Sequence, residues 1–380
     1  MRFIHTADWH LGRILFGVHL TDDQAVVLDR LVEVLKDAKP QMLVVSGDIY
    51  DRAVPPPEAV RLLDDFLGRV VSGLGIKVLM IAGNHDSPDR IGFASKILEA
   101  QGLFMRGSVS GKPLTVTLDD KHGPVDFHAL PYAEPSVVRE ILGDESAKDH
   151  ESAMRVMVNR CGIENGDKRR RVLAAHAFVA GGDESESERP LAVGGSSMVS
   201  PNVFDSFNYV ALGHLHRPQT AGADYFRYSG SLFPYSFSEA NHEKAVNLVE
   251  MDGQGHCRIT PVPIPGKRRL RIVTGFMDDI LTLPASDDYI QVNLSDTTPV
   301  LDALGRLRSV FPNLLHIERP HLTWNGNAES RSSDHRKTGH KELFQSFYKD
   351  VCGEELKPSM EESYIRIIEG YMRKKREVMP

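Results

Sequence analysis

Asp8 and His10 stand two residues apart, just after the apolar pair Phe3 and Ile4. A carboxylate and an imidazole so placed can serve a fold, a proton transfer or a metal ion. Comparable residues recur after other apolar runs. MLVVS at 42–46 leads into Gly47 and Asp48, and IKVLMIA at 76–82 into Gly83, Asn84, His85 and Asp86. VLAA at 172–175 leads into His176, and YVAL at 209–212 into Gly213, His214, Leu215 and His216. Taken singly, each has a bland reading: Asp-x-His is a cap beside a satisfied histidine, GNHD a turn exploiting Gly and Asn. Taken together they put carboxylates and imidazoles at five strand ends. In open α/β sheets, residues beyond the carboxyl ends of the strands share one crevice. Gathered there without a cation, such groups would repel or stay unsatisfied.

Three scattered cysteines, Cys161, Cys257 and Cys352, argue against both a disulfide framework and a thiolate metal site, so the donors must be nitrogen and oxygen. Asp8, His10, Asp48, Asn84, His176, His214 and His216 supply more groups than one ion needs, and Asp48 can bridge two. Two ions about 3.5–4 Å apart suit in-line displacement at phosphorus. His85, beside a ligand, then faces the substrate as an acid for the leaving oxygen or as a positive charge on the transition state.

The elements that must position these groups read as repeated strand-helix units from 3 to about 100. The stretch 21–40 carries a capping box, Thr21 with Gln24, an apolar stripe at Leu28, Leu31, Val32 and Leu35, and a stop at Pro40. Another helix follows Pro55, Pro56 and Pro57. Between about 100 and 170 the pattern weakens to hairpins and a surface helix. After Pro261, Pro263 and Pro265 a strand at 289–294, a helix around 301–310 and a strand at 314–320 predict a small separate domain. The polar stretch 325–340 reads as a linker. Two amphipathic helices end the chain, one with Leu343, Phe344, Phe347 and Val351, the other with Met360, Tyr364, Ile367, Ile368 and Tyr371 begun by a capping box of Ser359 and Glu362. The expected division is 1–265, 266–324, 325–340 and 341–380, with the tail docking on a partner or packing on its own protein.

At 380 residues, 41% hydrophobic and 26% charged, the composition is that of a globular protein. No apolar run is long enough to span a bilayer and no secretory segment precedes the first polar cluster, so no membrane role and a cytoplasmic location are expected. The net charge of −7 means that any grip on nucleic acid must come from local cations. Candidates are Arg13 and Arg52 near the site and the runs at 168–171 and 267–271. No Walker A loop is present, so any ATP dependence must come from another chain.

The ordered set D-x-H, GD-x-x-D, GNH-D, a lone strand-end His and GH-x-H resembles the signature of the calcineurin-like metallophosphoesterases. HTADWHLGR, SESERPLAVGG at 185–195, YVALGHLHRPQ at 209–219 and YSGSLFPYSFSE at 228–239 resemble the bacterial SbcD-type nucleases, relatives of the eukaryotic Mre nucleases. The resemblance covers residues 1 to about 265 strongly and continues more loosely beyond. It implies an α/β four-layer sandwich of two mixed sheets flanked by helices, with a small α/β capping domain and a C-terminal helical tail. It also implies that Asp8, His10, Asp48 and His216 hold one metal, and Asp48, Asn84, His176 and His214 the other. His85 matches the catalytic histidine and Asp51, in GDIYDR, a carboxylate that orients it. Two manganese ions per subunit are implied, although ligand chemistry alone leaves zinc and iron open. The implied activity is a double-strand 3′–5′ exonuclease and single-strand or hairpin endonuclease in DNA repair and recombination. Its implied assembly is a homodimer joined through the tail to an SbcC-type ATPase as a heterotetramer. The competing readings are another phosphodiesterase or phosphatase of the superfamily, and a scaffold without metals.

Overall fold

The computed structural model describes residues 1–163, 168–191 and 197–320, and in the tail 344, 345, 348, 356 and 358–377. The chain divides into two compact units, Met1–Arg271 and Ile272–Pro380. In chain order the principal strands of the first unit are β1 (Arg2–Thr6), β2 (Met42–Ser46), β3 (Lys77–Ile81), β4 (Leu103–Arg106), β5 (Leu114–Asp120) and β6 (Gly123–Leu130). They continue with β7 (Arg170–His176), β8 (Tyr209–Gly213), β9 (Gln219–Ala221), β10 (Ala223–Tyr228), β11 (Ala245–Met251) and β12 (Cys257–Pro263). Its principal helices are α1 (Thr21–Ala38), α2 (Pro57–Leu67), α3 (Pro135–Leu142) and α4 (His150–Asn159).

Two six-stranded sheets result, ordered β12-β11-β1-β2-β3-β4 and β9-β10-β8-β7-β6-β5. Both are mixed. β1 pairs parallel with β2 and antiparallel with β11, while β7 pairs parallel with β6 and β8. MLVVS is buried at every position, as a short apolar run covered on both faces must be. Alternation along β7 sends Val172 and Ala174 into the layer between the sheets, with Phe3, Val44 and Tyr209, and Leu173 and Ala175 to the opposite face, against Val138 and Met154 of α3 and α4. His176 falls on the first of these parities. The ring of Phe3 meets Phe127 and Tyr209 edge-on at 5.4 and 5.3 Å. His5 ties the sheets together, its Nδ1 on the Tyr209 hydroxyl at 3.0 Å and its Nε2 on the Leu212 carbonyl at 3.1 Å. Burial pushes its pKa down to about 3, so it is a neutral structural bridge.

α1 ends as expected, with Lys39 in the left-handed region before Pro40, but its start differs. The residue ahead of the helix is Leu20, no side chain caps it, and Gln24 points instead at the loop after β1. α2 begins at Pro57, where a missing amide costs the helix nothing.

In the second unit β13 (Leu270–Gly275), β14 (Tyr289–Leu294) and β15 (Leu314–Glu318) form a three-stranded sheet over α5 (Ala303–Arg308), with Ile290, Val292, Leu307 and Phe311 in its core. The division between the units falls inside β13, a few residues beyond the expected 265. The expected linker 325–340 lies outside the described residues. The tail helix α6 (Pro358–Glu377) begins one residue before Ser359. Of the penultimate helix only Phe344, Gln345 and Tyr348 are described. Phe344 stacks on Tyr364 with ring centroids 3.8 Å apart, and Tyr348 meets Met360. Ile367 is 70% exposed.

Candidate metal centre

The loops after β1 and β2 extend the pairing of their strands. The amide of Asp8 bonds the Gly47 carbonyl at 3.0 Å, His10 bonds Asp48 at 3.0 Å and Leu11 bonds Ile49 at 2.9 Å. Backbone alternation then sends Trp9 into the core, edge-on to Phe66 at 5.1 Å, and leaves Asp8 and His10 on the opposite side. Asp8, His10, Asp48 and His214 all hold positive φ, at 54°, 44°, 48° and 109°. Left-handed backbone costs a non-glycine residue roughly 1–3 kcal/mol and persists where the surroundings over-determine it, typically at functional sites. Here four candidate ligands carry it together.

The motif glycines let the loops approach. At Gly47, φ is +90° and a Cβ would come within 2.5 Å of His176 Nδ1. At Gly83 a Cβ would come within 2.1 Å of Asp48 Oδ1 and 2.3 Å of its backbone nitrogen. No side chain larger than hydrogen fits at Gly83 without moving Asp48.

The structure brings all seven expected ligands together. Asp48 Oδ2 lies 3.6 Å from His10 Nε2 on one side and 3.6 Å from His176 Nε2 on the other. Asn84 Oδ1 is 2.9 Å from His176 Nε2 and 3.3 Å from His214 Nδ1. His10 Nε2 and His216 Nε2 face each other at 3.0 Å. Asp8 Oδ1 accepts from the His214 amide at 2.9 Å. The tightest groups are not quite the expected quartets: candidate ligand atoms of Asp8, Asp48 and His176, and separately of His10, Asp51 and His85, lie within 4.8 Å of one another.

Among the described residues, carboxylates and imidazoles crowd together in the cluster. Burial, and then the Asp48 charge, raises Asp8 well above the usual carboxylate range. Burial lowers His10, His176 and His214, so these rings are neutral with lone pairs to give. Asp8 Oδ2 and His214 Nε2 are buried and have no hydrogen-bond partner among the described residues. Crowded carboxylates, opposed imidazole nitrogens and orphaned donor atoms are what divalent cations would resolve. The thiol-free nitrogen and oxygen donors therefore fit a pair of such ions.

His85 is held differently from expectation. Its Nδ1 donates to the main-chain carbonyl of Asp51 at 2.8 Å, whereas the Asp51 carboxylate accepts from Arg13 at 2.8 Å and lies 3.8 Å from His10 Nδ1. The orienting group is thus the backbone of Asp51. Arg13 is engaged by that ion pair, and Arg52, 53% exposed, stands 3.9 Å from the same carboxylate. The run at 168–171 is not a DNA-facing patch as a whole. Arg170 is buried, gripping Asp120 at 2.6 and 2.9 Å, and Arg169 pairs with Asp126 at 2.9 Å. In the run at 267–271, Arg268 pairs with Asp23 at 3.1 Å.

Two residues support the site in ways the sequence reading did not assign them. Asp86 accepts from the amides of Ile49, Tyr50 and Gly83 at 3.1, 2.9 and 2.9 Å, locking the Asp48 loop to the Asn84 loop. Gln24 donates to the carbonyls of Trp9 and His10 and accepts from Gly12, clamping the first ligand loop. Asp86 stood in plain sight in GNHD, but nothing in spacing tells a ligand from the residue that holds it.

Residues 1–218 match the calcineurin-like phosphoesterase family. The chain belongs to that family. Its residues 266–351 match an SbcD C-terminal domain family described as the type 5 capsule protein repressor C-terminal domain. The two matches together support a nuclease subunit of the SbcD type. Among solved structures the chain is similar to TT1561 of Thermus thermophilus, at 12% identity over 70% of this chain and 99% of the other, with a TM-score of 0.40. It is also similar to a dimetal phosphatase from Danio rerio, at 14% over 70% and 96%, TM-score 0.43, and to GAP50, the anchor in the inner membrane complex of Plasmodium, at 9% over 84% and 96%, TM-score 0.35. Likenesses this distant say nothing about substrate. Among the described residues no helix is long and apolar enough to cross a membrane.

Proposed function

We propose that this chain is a manganese-dependent DNA nuclease subunit, cleaving phosphodiesters as an exonuclease and as an endonuclease on single strands and hairpins. In this reading Asp8, His10, Asp48 and His216 hold one ion and Asp48, Asn84, His176 and His214 the other, with Asp51 taking part alongside His10 and His85 as the grouping of those three suggests. The observation that carries the proposal is the placement of the buried Asp48 between His10 and His176, 3.6 Å from each. Bound divalent ions would supply a hydroxide nucleophile near neutral pH and charge on the phosphoryl oxygens.

The chain's own contribution is positioning. Because Nδ1 of His85 is spent on the Asp51 carbonyl, its Nε2 is the atom left for the substrate, and the ring, edge-on to His10 at 4.7 Å, cannot turn freely. A proton on Nε2 passes to the departing sugar oxygen. In this reading the half-exposed Arg52 meets a backbone phosphate, while Arg13 pairs with Asp51. The domain beyond 266 and the helical tail, which a small-molecule esterase would not need, support a cap and a docking helix pair for an SbcC-type ATPase. The same reading gives a homodimer joined with that ATPase in a heterotetramer, working in the cytoplasm in DNA repair and recombination.

The test is incubation of the purified protein and manganese with linear duplex DNA and, separately, with phosphomonoesters, with and without the ATPase. Cleavage of DNA is expected. Activity on monoesters with none on DNA, even with the ATPase present, overturns the nuclease reading in favour of a phosphatase. Replacing His85 with asparagine should lower turnover about 10²–10⁴-fold while both ions still bind. Asp51→Asn should cost less than His85→Asn, because the carbonyl that orients His85 remains.

A further inference from the structure

The stretches SESER and YSFSE, distinctive in the sequence and unused by the site so far, meet behind His216. Its Nδ1 lies 2.6 Å from Ser187 Oγ, and Ser187 Oγ lies 2.5 Å from Glu239 Oε1. Glu239 in turn pairs with the buried Lys244, which also donates to the His216 carbonyl at 2.9 Å and to Ser231 Oγ at 2.9 Å. The amide of Tyr235 donates to Glu239 Oε1 at 3.0 Å, and the amide of His216 donates to Glu188 Oε1 at 2.8 Å. Glu239, Ser187 and Lys244 are all buried.

The direction of this chain of hydrogen bonds follows from chemistry. Glu239 Oε2 faces the Lys244 ammonium and its Oε1 takes the Tyr235 amide, so the carboxylate serves as an acceptor. Ser187 has one proton, which must go to Glu239, because two acceptor oxygens at 2.5 Å would otherwise face each other bare. Its lone pair, at 2.6 Å, takes the proton of His216 Nδ1 in preference to Glu239 Oε1, which lies 3.4 Å from the same nitrogen, and this leaves Nε2 without a proton. Nε2 is the atom that faces His10 and the expected ion.

We propose that Ser187 is a positioning residue which, by relaying Glu239 to His216, locks that histidine in the tautomer whose Nε2 lone pair points into the metal centre. This rests on His216 being a metal ligand, and it adds what sets the ligand's protonation. Partners of this kind typically change metal affinity by about 10–100-fold.

Two measurements on the full chain test it. Nitrogen chemical shifts of the histidine rings in metal-free protein, with His216 assigned by comparison with His216→Gln, should show a neutral ring protonated at Nδ1 in the wild type. Ser187→Ala should lose that signature, Ser187→Thr should keep it. Manganese titration should show one of two sites weakened about tenfold or more in Ser187→Ala and restored in Ser187→Thr, with the melting temperature of the metal-free protein little changed. Should Ser187→Ala not fold, Ser187→Cys, a small side chain that donates and accepts weakly, carries the same expectation. An unchanged Nδ1-protonated signature in the variant, or two undiminished manganese sites, overturns the proposal. Wild-type protein that binds no manganese at all would sink the reading of His216 as a ligand, and the metal-free spectra would still decide the tautomer relay.

Discussion

Arg170 is the sharpest case where sequence and structure assign different work to one residue. In the run at 168–171 it is a candidate phosphate contact. In the structure it is buried against Asp120 and donates further to the carbonyls of Gly123 and Asp252 at 2.6 and 3.0 Å, while the amino terminus of Met1 pairs with the same carboxylate. Arg170→Met removes the guanidinium but keeps much of the volume. Breaking a buried pair by taking one partner typically costs about 3–5 kcal/mol, because the other charge is left uncompensated. The Met1 amine still faces Asp120, so the lower end, about 3 kcal/mol, is expected. At about 2 °C per kcal/mol for a domain of this size, the melting temperature should fall by about 6 °C.

The pH dependence has a definite sign. Arg170, and then the amino terminus, hold Asp120 well below the usual carboxylate value, so its folded pKa is depressed. The pairing therefore contributes stability above the unfolded value of 3.8 and loses it as pH falls below. Wild type and Arg170→Met should differ most at pH 6–8 (about 6 °C) and converge in acid. The assay is a thermal melt by circular dichroism across pH, with DNA binding measured against salt concentration. The slope of log affinity against log salt should be unchanged in Arg170→Met, whereas loss of one phosphate contact, as expected for Arg52→Ala, lowers it by about 0.9. A variant that melts like the wild type but binds DNA with a reduced salt slope would refute the structural assignment of Arg170.

Gly83→Ala puts a Cβ 2.1 Å from Asp48 Oδ1 and 2.3 Å from its backbone nitrogen, so the Asp48 loop must shift. We expect a loss of about 1–3 kcal/mol in a denaturant titration and, in elemental analysis, protein depleted of metal. Manganese should stabilise the fold by relieving Asp8 and Asp48. At 100 times its Kd it should contribute about 2.7 kcal/mol, seen as a rise in melting temperature that a chelator reverses. Absence of any shift would count against ion binding at the cluster.

Much of the site was legible because its residues sit at strand ends, where apolar runs stop and Gly, Asp, Asn and His begin. A strand such as MLVVS is recognisable from composition alone, since burial on both faces demands unbroken apolar sequence. The helix-starting signal at Thr21 and Gln24 was misleading. A glutamine three residues after a threonine satisfies the capping pattern, yet in the fold the same side chain finds better partners in the carbonyls of Trp9 and His10. The basic run at 168–171 was equally silent about which of its charges face inward.

The primary structure determined the donor set, the order of the ligand-bearing loops and the absence of thiols, because these depend only on residue type and on strands running in one direction. Pairing decided the rest. Asp48 comes between His10 and His176, Asp51 turns its carbonyl rather than its carboxylate to His85, and Ser187 bridges His216 to Glu239 because segments far apart in the chain are hydrogen-bonded side by side. Short-range polar contacts depend on ångström-scale placement, which spacing along a chain does not encode.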